Sequence, residues 1–308
     1  MNEQAVKSRV HRYFSDTTQD YLKYYGTGRH HHMHYGFDRD LPKGASPTSH
    51  LVRYMASLAG LLPRPSISEN KNSVAPLRVL DAGCGVGGAS ILLAREAGCD
   101  CVGITLVEEH AKLARQFALR DETKRLSVDS SSKDLSGSAR FVANDYTIPA
   151  FKPESFDVIL ALESFCYAPD KEAWIRGMAP LLKPGGRLVI ADGFSGSRSK
   201  TQSQERSFQR FLKGWAVPHF CTSEQVIAWA EHAGLETVHA EDITKDVLPH
   251  AWKIFRLGPL IVPWRWILHK LGISGEEKLN NAYAIYHQYP TLKKGLWRYS
   301  ALCFRKPL

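Results

Sequence analysis

The stretch "LRVLDAGCGVGGASILLAREAG", Leu77 to Gly98, restricts the fold more than any other part of this chain. A short apolar run ends in a turn made almost entirely of small residues. Helically spaced apolar residues follow, closed by a glycine. That is a buried strand, a tight turn and a helix. The pattern then repeats downstream. "CDCVGITL", "ARFVAND", "FDVILAL" and "GRLVIADGF" read as further strands. "EEHAKLARQFALRDE", "KEAWIRGMAPLL" and "SEQVIAWAEHAG" read as helices, and "ETVHAEDI" and "WRYSALCFRK" as late strands. Strands alternating with helices predict a mostly parallel seven-stranded α/β sheet with helices on both faces. The polar stretches 67–76 and 127–138 read as a linker and a loop. Such sheets bind ligands beyond the carboxyl ends of their strands, where the strand order reverses.

Charge and cysteine content narrow the function classes. The net charge is +9, and it is uneven. Residues 245–308 hold 11 Lys/Arg against 3 Asp/Glu, whereas the middle of the chain is near neutral. A basic C-terminal part suits an anionic ligand or a peripheral membrane contact better than nucleic acid, and no nucleic-acid partner is expected. The six cysteines show no zinc-like spacing, and reduced thiols are expected. No cleavable leader and no apolar run of about 18 residues is visible, so a cytoplasmic protein, peripheral to a membrane at most, is expected.

The strand ends carry the chemistry. Gly83, Gly85 and Gly87 let the backbone turn and approach a ligand. Asp81 just before them would repel a pyrophosphate and attract a cationic ligand, which argues against a dinucleotide. This "DAGCGVGG" resembles motif I of class I S-adenosylmethionine-dependent methyltransferases, over roughly residues 77–195. The second strand ends in Thr105 and Leu106, where an acidic ribose ligand is usual. "GITL" there resembles the tocopherol methyltransferase, sterol C-methyltransferase and cyclopropane fatty acid synthase subgroup. In that subgroup these two positions contact the cofactor. His110 stands where the subgroup has a glutamine; Glu108 reads as a solvated helix-start residue. Asp145 resembles the residue that receives the adenine amino group, with Tyr146 alongside the ring. "LALESFCYAPDKEAW" resembles the sterol and tocopherol forms of the fourth strand end. It places Glu163 and Ser164 between methyl donor and acceptor. The resemblance implies a Rossmann-like fold and S-adenosyl-L-methionine as cofactor.

In the histidine-rich "TGRHHHMHYGFDRD", Thr27 to Asp40, His30 and His34 stand one helical turn apart, but a metal site needs three or four ligands, and no metal is expected. "His-Met-His-Tyr-Gly" resembles the segment that closes the pocket in tocopherol-type enzymes, with Tyr24, Tyr25, His34 and Tyr35 as contacts. The expected organisation is an N-terminal helical cap or lid over 1–75 and a cofactor-binding core over 76–246. An aromatic, basic helical insert over 247–297 then roofs the acceptor, with Trp264 and Trp266 foremost, before a last core strand over 298–308. The expected cofactor-binding residues are Asp81, Gly83, Gly85, Gly87, Thr105, Leu106, Asp145, Tyr146, Tyr25 and Tyr35. Glu163, His34 and Tyr167 are the catalytic candidates. The expected function is methyl transfer at carbon or oxygen to a lipophilic small molecule: a prenyl chain or terpenoid, sterol, chromanol or fatty acyl chain. A polar or alkaloid-like acceptor, a prenyl diphosphate, and a non-catalytic lipid- or cofactor-binding module are the alternatives.

Overall fold

A computed structural model describes residues 2–24, 31–63, 75–128, 137–196 and 199–308. Two helices come first, α1 (Glu3–Tyr24) and α2 (Pro47–Leu58). Then β1 (Arg78–Ala82), α3 (Gly88–Ala97), β2 (Asp100–Thr105), α4 (Glu108–Val128), β3 (Ser138–Ala143) and β4 (Phe156–Leu162) alternate. They are followed by α5 (Lys171–Met178), β5 (Leu182–Ser195), α6 (Gln202–Gly214), α7 (Ser223–His232) and β6 (Glu236–Asp242). Three helices precede the last strand: α8 (Thr244–Phe255), α9 (Gly258–Lys270) and α10 (Glu276–Lys293), then β7 (Trp297–Arg305).

The strands form one sheet in the order β3-β2-β1-β4-β5-β7-β6. The first five run parallel, and β7 is antiparallel to both β5 and β6. Burial on both faces explains the continuous apolar runs. Val79, Val158 and Val189 pack on one side with α2, α3 and α6. Their neighbours Leu80, Ile159 and Leu188 pack on the other with α5 and α7. Truncating Leu80, Ile159 or Leu188 to Ala would cost about 2–5 kcal/mol.

The order of connection reverses between β1 and β4, which are neighbours although β2 and β3 intervene in sequence. Loops leaving β1 and β4 therefore diverge and leave a crevice at their carboxyl ends. At its floor, Gly83 has φ +98, and a Cβ there would lie 2.3 Å from the Ser164 Cβ. Only glycine fits between the β1 and β4 ends. Of the expected loop 127–138, the first residues continue α4 to Val128.

Candidate active site

Two cavities meet at the crevice. The first, about 920 Å³ counting its open mouth, is lined by the ends of β1, β2, β3 and β4 together with Lys7, Val10 and Phe14 of α1. The second, about 770 Å³, lies between the β4 end, residues 32–35 and helices α8 and α10. Six residues line both: Phe14, His32, Met33, His34, Glu163 and Tyr167. The histidine segment is thus the partition between two chambers. It is held by close approach, because a Cβ on Gly88 would lie 2.3 Å from the His31 carbonyl oxygen. The His31 ring stacks on Phe117, with centroids 3.7 Å apart. Among the described residues no group of three or more His, Cys, Asp or Glu is placed to hold a metal.

The first cavity is lined by Asp81, Gly83, Gly85, Thr105, Leu106, Asp145 and Tyr146, at the ends of β1, β2 and β3. Gly87 does not line it. It precedes α3 at φ +89, and a Cβ there would strike Phe141 and Ala114, so its role is packing. Tyr35 faces the second cavity instead of the first. Tyr25 and the side chain of Tyr24 lie outside the described residues, as does His30. Glu108 is exposed and pairs with Arg115 at 3.0 Å.

Asp81 accepts a hydrogen bond from Ser90 Oγ at 2.6 Å. Burial pushes its carboxyl up to about 6, against the lowering effect of the Ser90 hydroxyl and N–H. A buried carboxylate with no cation beside it among the described residues is suited to a ligand that carries one. At the far end Asp145 pairs with Lys7 of α1 at 2.7 Å, and Thr147 donates to it from N and Oγ1. Carboxylates thus stand in this lining at Asp81 and at Asp145, together with Gly83 and Gly85 of the turn. His110 lines this cavity and meets Thr18 of α1 at 2.5 Å, pinning the helix that covers it.

Glu163 ends β4 with φ +48. Its Oε1 accepts from the Tyr35 N–H at 2.7 Å and from the Tyr299 hydroxyl at 2.8 Å. Burial drives its carboxyl up to about 8; the Tyr35 N–H opposes this, nearby Asp192 adds to it, and Tyr299 opposes it. The surface it keeps faces the cavities it lines. His34 Nδ1 lies 2.7 Å from the Tyr35 carbonyl oxygen and so must carry the hydrogen. Its Nε2 lone pair is buried without a partner. Burial holds this ring neutral, with its pKa down to about 4, the Tyr35 carbonyl opposing and His250 contributing. Two further atoms in the second cavity's lining residues are buried without partners: Trp215 Nε1 and His250 Nδ1. Neither residue was legible as a site residue. Trp215 follows α6, His250 sits in α8, and only the folded chain brings them to Glu163.

The insert helices roof the second cavity through His250, Ile254 and Ile285. Trp264 and Trp266 do not. They are 59% and 48% exposed on α9, which corrects their expected place over the acceptor. The outer helix of a three-helix roof is separated from the cavity by the other two.

A family profile described as a methyltransferase domain matches residues 49–240. Over 99% of this chain and 84% of the relative, the chain is 23% identical to a chloroplastic tocopherol O-methyltransferase of Arabidopsis thaliana. It is 28% identical, over 88% of its length and 79% of the relative's, to a 2-methyl-6-phytyl-1,4-hydroquinone methyltransferase of Synechocystis. The cyclase SpnF superposes with TM-score 0.70 at 19% identity, covering 97% of this chain and 95% of that one. The geranyl diphosphate C-methyltransferase of Streptomyces coelicolor gives 0.64 at 16%, covering 98% and 97%. These structural likenesses show the same fold. With an acidic residue and a glycine turn ending β1 and a profile covering most of the chain, the protein belongs to the methyltransferase domain family and is an S-adenosylmethionine-dependent methyltransferase of the class I fold.

Proposed function

We propose that the enzyme methylates a neutral lipophile bearing a hydroxyl group, at that oxygen or at a carbon it activates. The observation that carries this reading is the polar inventory of the second cavity. Phe14, Met33, Ile254 and Ile285 form the apolar part of its wall, and Thr48, Glu163, Asn281, three histidines and three tyrosines the polar part. Its lining residues His34, Trp215 and His250 each carry a buried nitrogen with no partner among the described residues: His34 Nε2, Trp215 Nε1 and His250 Nδ1. A ligand hydroxyl, which both donates and accepts, is the group that could partner the His34 lone pair or the Trp215 N–H. Among the described residues no Lys or Arg lines the cavity, and His34 and His250 are both neutral, with pKa values near 4. A diphosphate would be desolvated there without a counter-charge. Two of the relatives are named for tocopherol and for a phytyl hydroquinone, which are hydroxyl-bearing lipophiles.

S-adenosylmethionine supplies an electrophilic methyl group. The chain's residues do the rest. Phe14, Met33 and Tyr167 at the junction exclude water and fix the approach. His34 Nε2 orients the acceptor hydroxyl, and Glu163 takes its proton. Glu163 Oε1 is already engaged by two donors, so the proton goes to Oε2. Tyr167 lines the junction and shapes it without taking a proton, since burial raises its own pKa well above the ordinary range.

Trp215→Phe tests the reading, because it keeps an aromatic ring and removes the N–H. Leaving the acceptor oxygen unpaired should raise acceptor KM roughly fivefold to a hundredfold while cofactor affinity holds. Unchanged KM, or wild-type preference for a prenyl diphosphate over a chromanol or sterol, would overturn it.

A further inference from the structure

Helix α9 is apolar on its exposed side as well as its inward one. Leu257, Leu260, Trp264, Ile267 and Leu271 recur at intervals of three and four, one face of a helix, and each is at least 39% exposed. Ile273 just beyond is 70% exposed. Its inward side holds Ile261, Val262 and Leu268 beside Arg265 and His269. Arg265 reaches Asp20 of α1 at 2.6 Å, and both side chains are largely buried. Gly258 is the only buried residue of the helix. An apolar stripe of five large side chains facing water is the reverse of what a surface helix presents.

Its surroundings indicate what covers it. From Val247 to Gly275 there is no Asp or Glu, and the basic residues are Lys253, Arg256, Arg265 and Lys270. Arg265 is spent on Asp20. Lys253, Arg256 and Lys270 are exposed, with Lys270 over the Trp266 ring at 5.8 Å. Two such basic faces would repel each other, which disfavours a second copy of the chain. Aromatic and aliphatic side chains flanked by cations match the boundary between acyl chains and anionic headgroups. On its inner side α9 packs on α10, whose Asn281 and Ile285 line the second cavity. No helix among the described residues is long and apolar enough to cross a membrane.

We infer that the exposed face of α9 docks the protein in the plane of a lipid surface carrying anionic headgroups, with α10 and the second cavity just beneath. The stripe lines neither cavity, so docking is separable from turnover and holds whatever the acceptor is.

Vesicle sedimentation tests this. The probes are phosphatidylcholine vesicles with and without phosphatidylglycerol. The full-length protein should pellet with the anionic vesicles, and added salt should weaken this. The triple variant Leu260→Ser, Trp264→Ser, Ile267→Ser should bind at least about tenfold more weakly, the loss expected when three large apolar contacts go. Its melting temperature, and its turnover on detergent-dispersed acceptor, should match wild type. Equal binding by the variant, absence of binding at low salt, or a wild-type dimer that the variant dissociates would each overturn the inference.

Discussion

Glu163 has a left-handed backbone, φ +48, at the last residue before the turn out of β4. That conformation is uncommon for a residue with a side chain. Here it is held by the Glu163 N–H to the Ala191 carbonyl at 2.9 Å and by two donors on the carboxyl. With the carboxyl pushed up to about 8 by burial, only a minority is ionised at neutral pH. If Glu163 takes the proton, turnover should rise as pH rises through about 8. A profile governed instead by His34 would level off above about 4. Glu163→Gln should lower turnover at least about tenfold with cofactor affinity kept. Stability gives an independent sign. The folded-state pKa lies above the ordinary 4.5. The group's contribution is therefore full below about pH 4.5 and is lost as pH rises towards 8. Gln has no such loss, so the variant's melting temperature relative to wild type should be higher at pH 9 than at pH 5, by the equivalent of a few kcal/mol. A flat difference across that range would show that Glu163 is not held protonated. Glu163, Asp81 and Thr105 were legible because each ends a strand inside one contiguous motif. Tyr299, which fixes Glu163, comes from β7, 136 positions away; no local pattern marks it.

At the scale of elements, the strands were legible because both faces of the sheet are covered and every position must be apolar. The open edge was legible too: "ETVHAEDI" reads as a strand and β6 spans Glu236–Asp242, although it is mostly exposed. Helix α6 escaped the reading of alternating elements although its start carries a capping box, Thr201 with Gln204. Its apolar face, Phe208, Phe211 and Leu212, covers the sheet. The histidine segment was read as a closure over one pocket and is a wall shared by two. Its seat depends on Gly88, where any side chain meets the His31 carbonyl. Gly88→Val should therefore displace residues 31–35 and weaken cofactor and acceptor binding together. A loss of only one of the two affinities would mean that the segment does not hold both chambers.

Across the whole molecule, one chain of hydrogen bonds joins three parts that the sequence separates widely. The Tyr35 N–H donates to Glu163 of the sheet, and the Tyr35 hydroxyl donates to Gln288 of α10 at 2.7 Å. Gln288 Nε2 donates to the Ala251 carbonyl of α8, also at 2.7 Å. Arg39 adds a second tie, to Asp246 at 2.5 Å and Glu241 at 2.8 Å. Helix α1 reaches both cavities, but its Lys7 and Val10 line only the first and α8 and α10 line only the second, so the two ligands share one cover and differ in the other. Binding free energy is shared with whatever must close for the ligand to be held. Hydrogen exchange should resolve this into two steps. S-adenosylhomocysteine alone should slow exchange in α1, through Lys7, Val10 and Phe14. An acceptor added to that complex should slow α8 and α10 as well, through His250, Ile254 and Ile285. The linking residue makes the order testable: Gln288→Leu should weaken the second effect and leave the first. Protection by the acceptor confined to the β-strands, with α8 and α10 unchanged, would show that the three-helix insert is not the acceptor's roof.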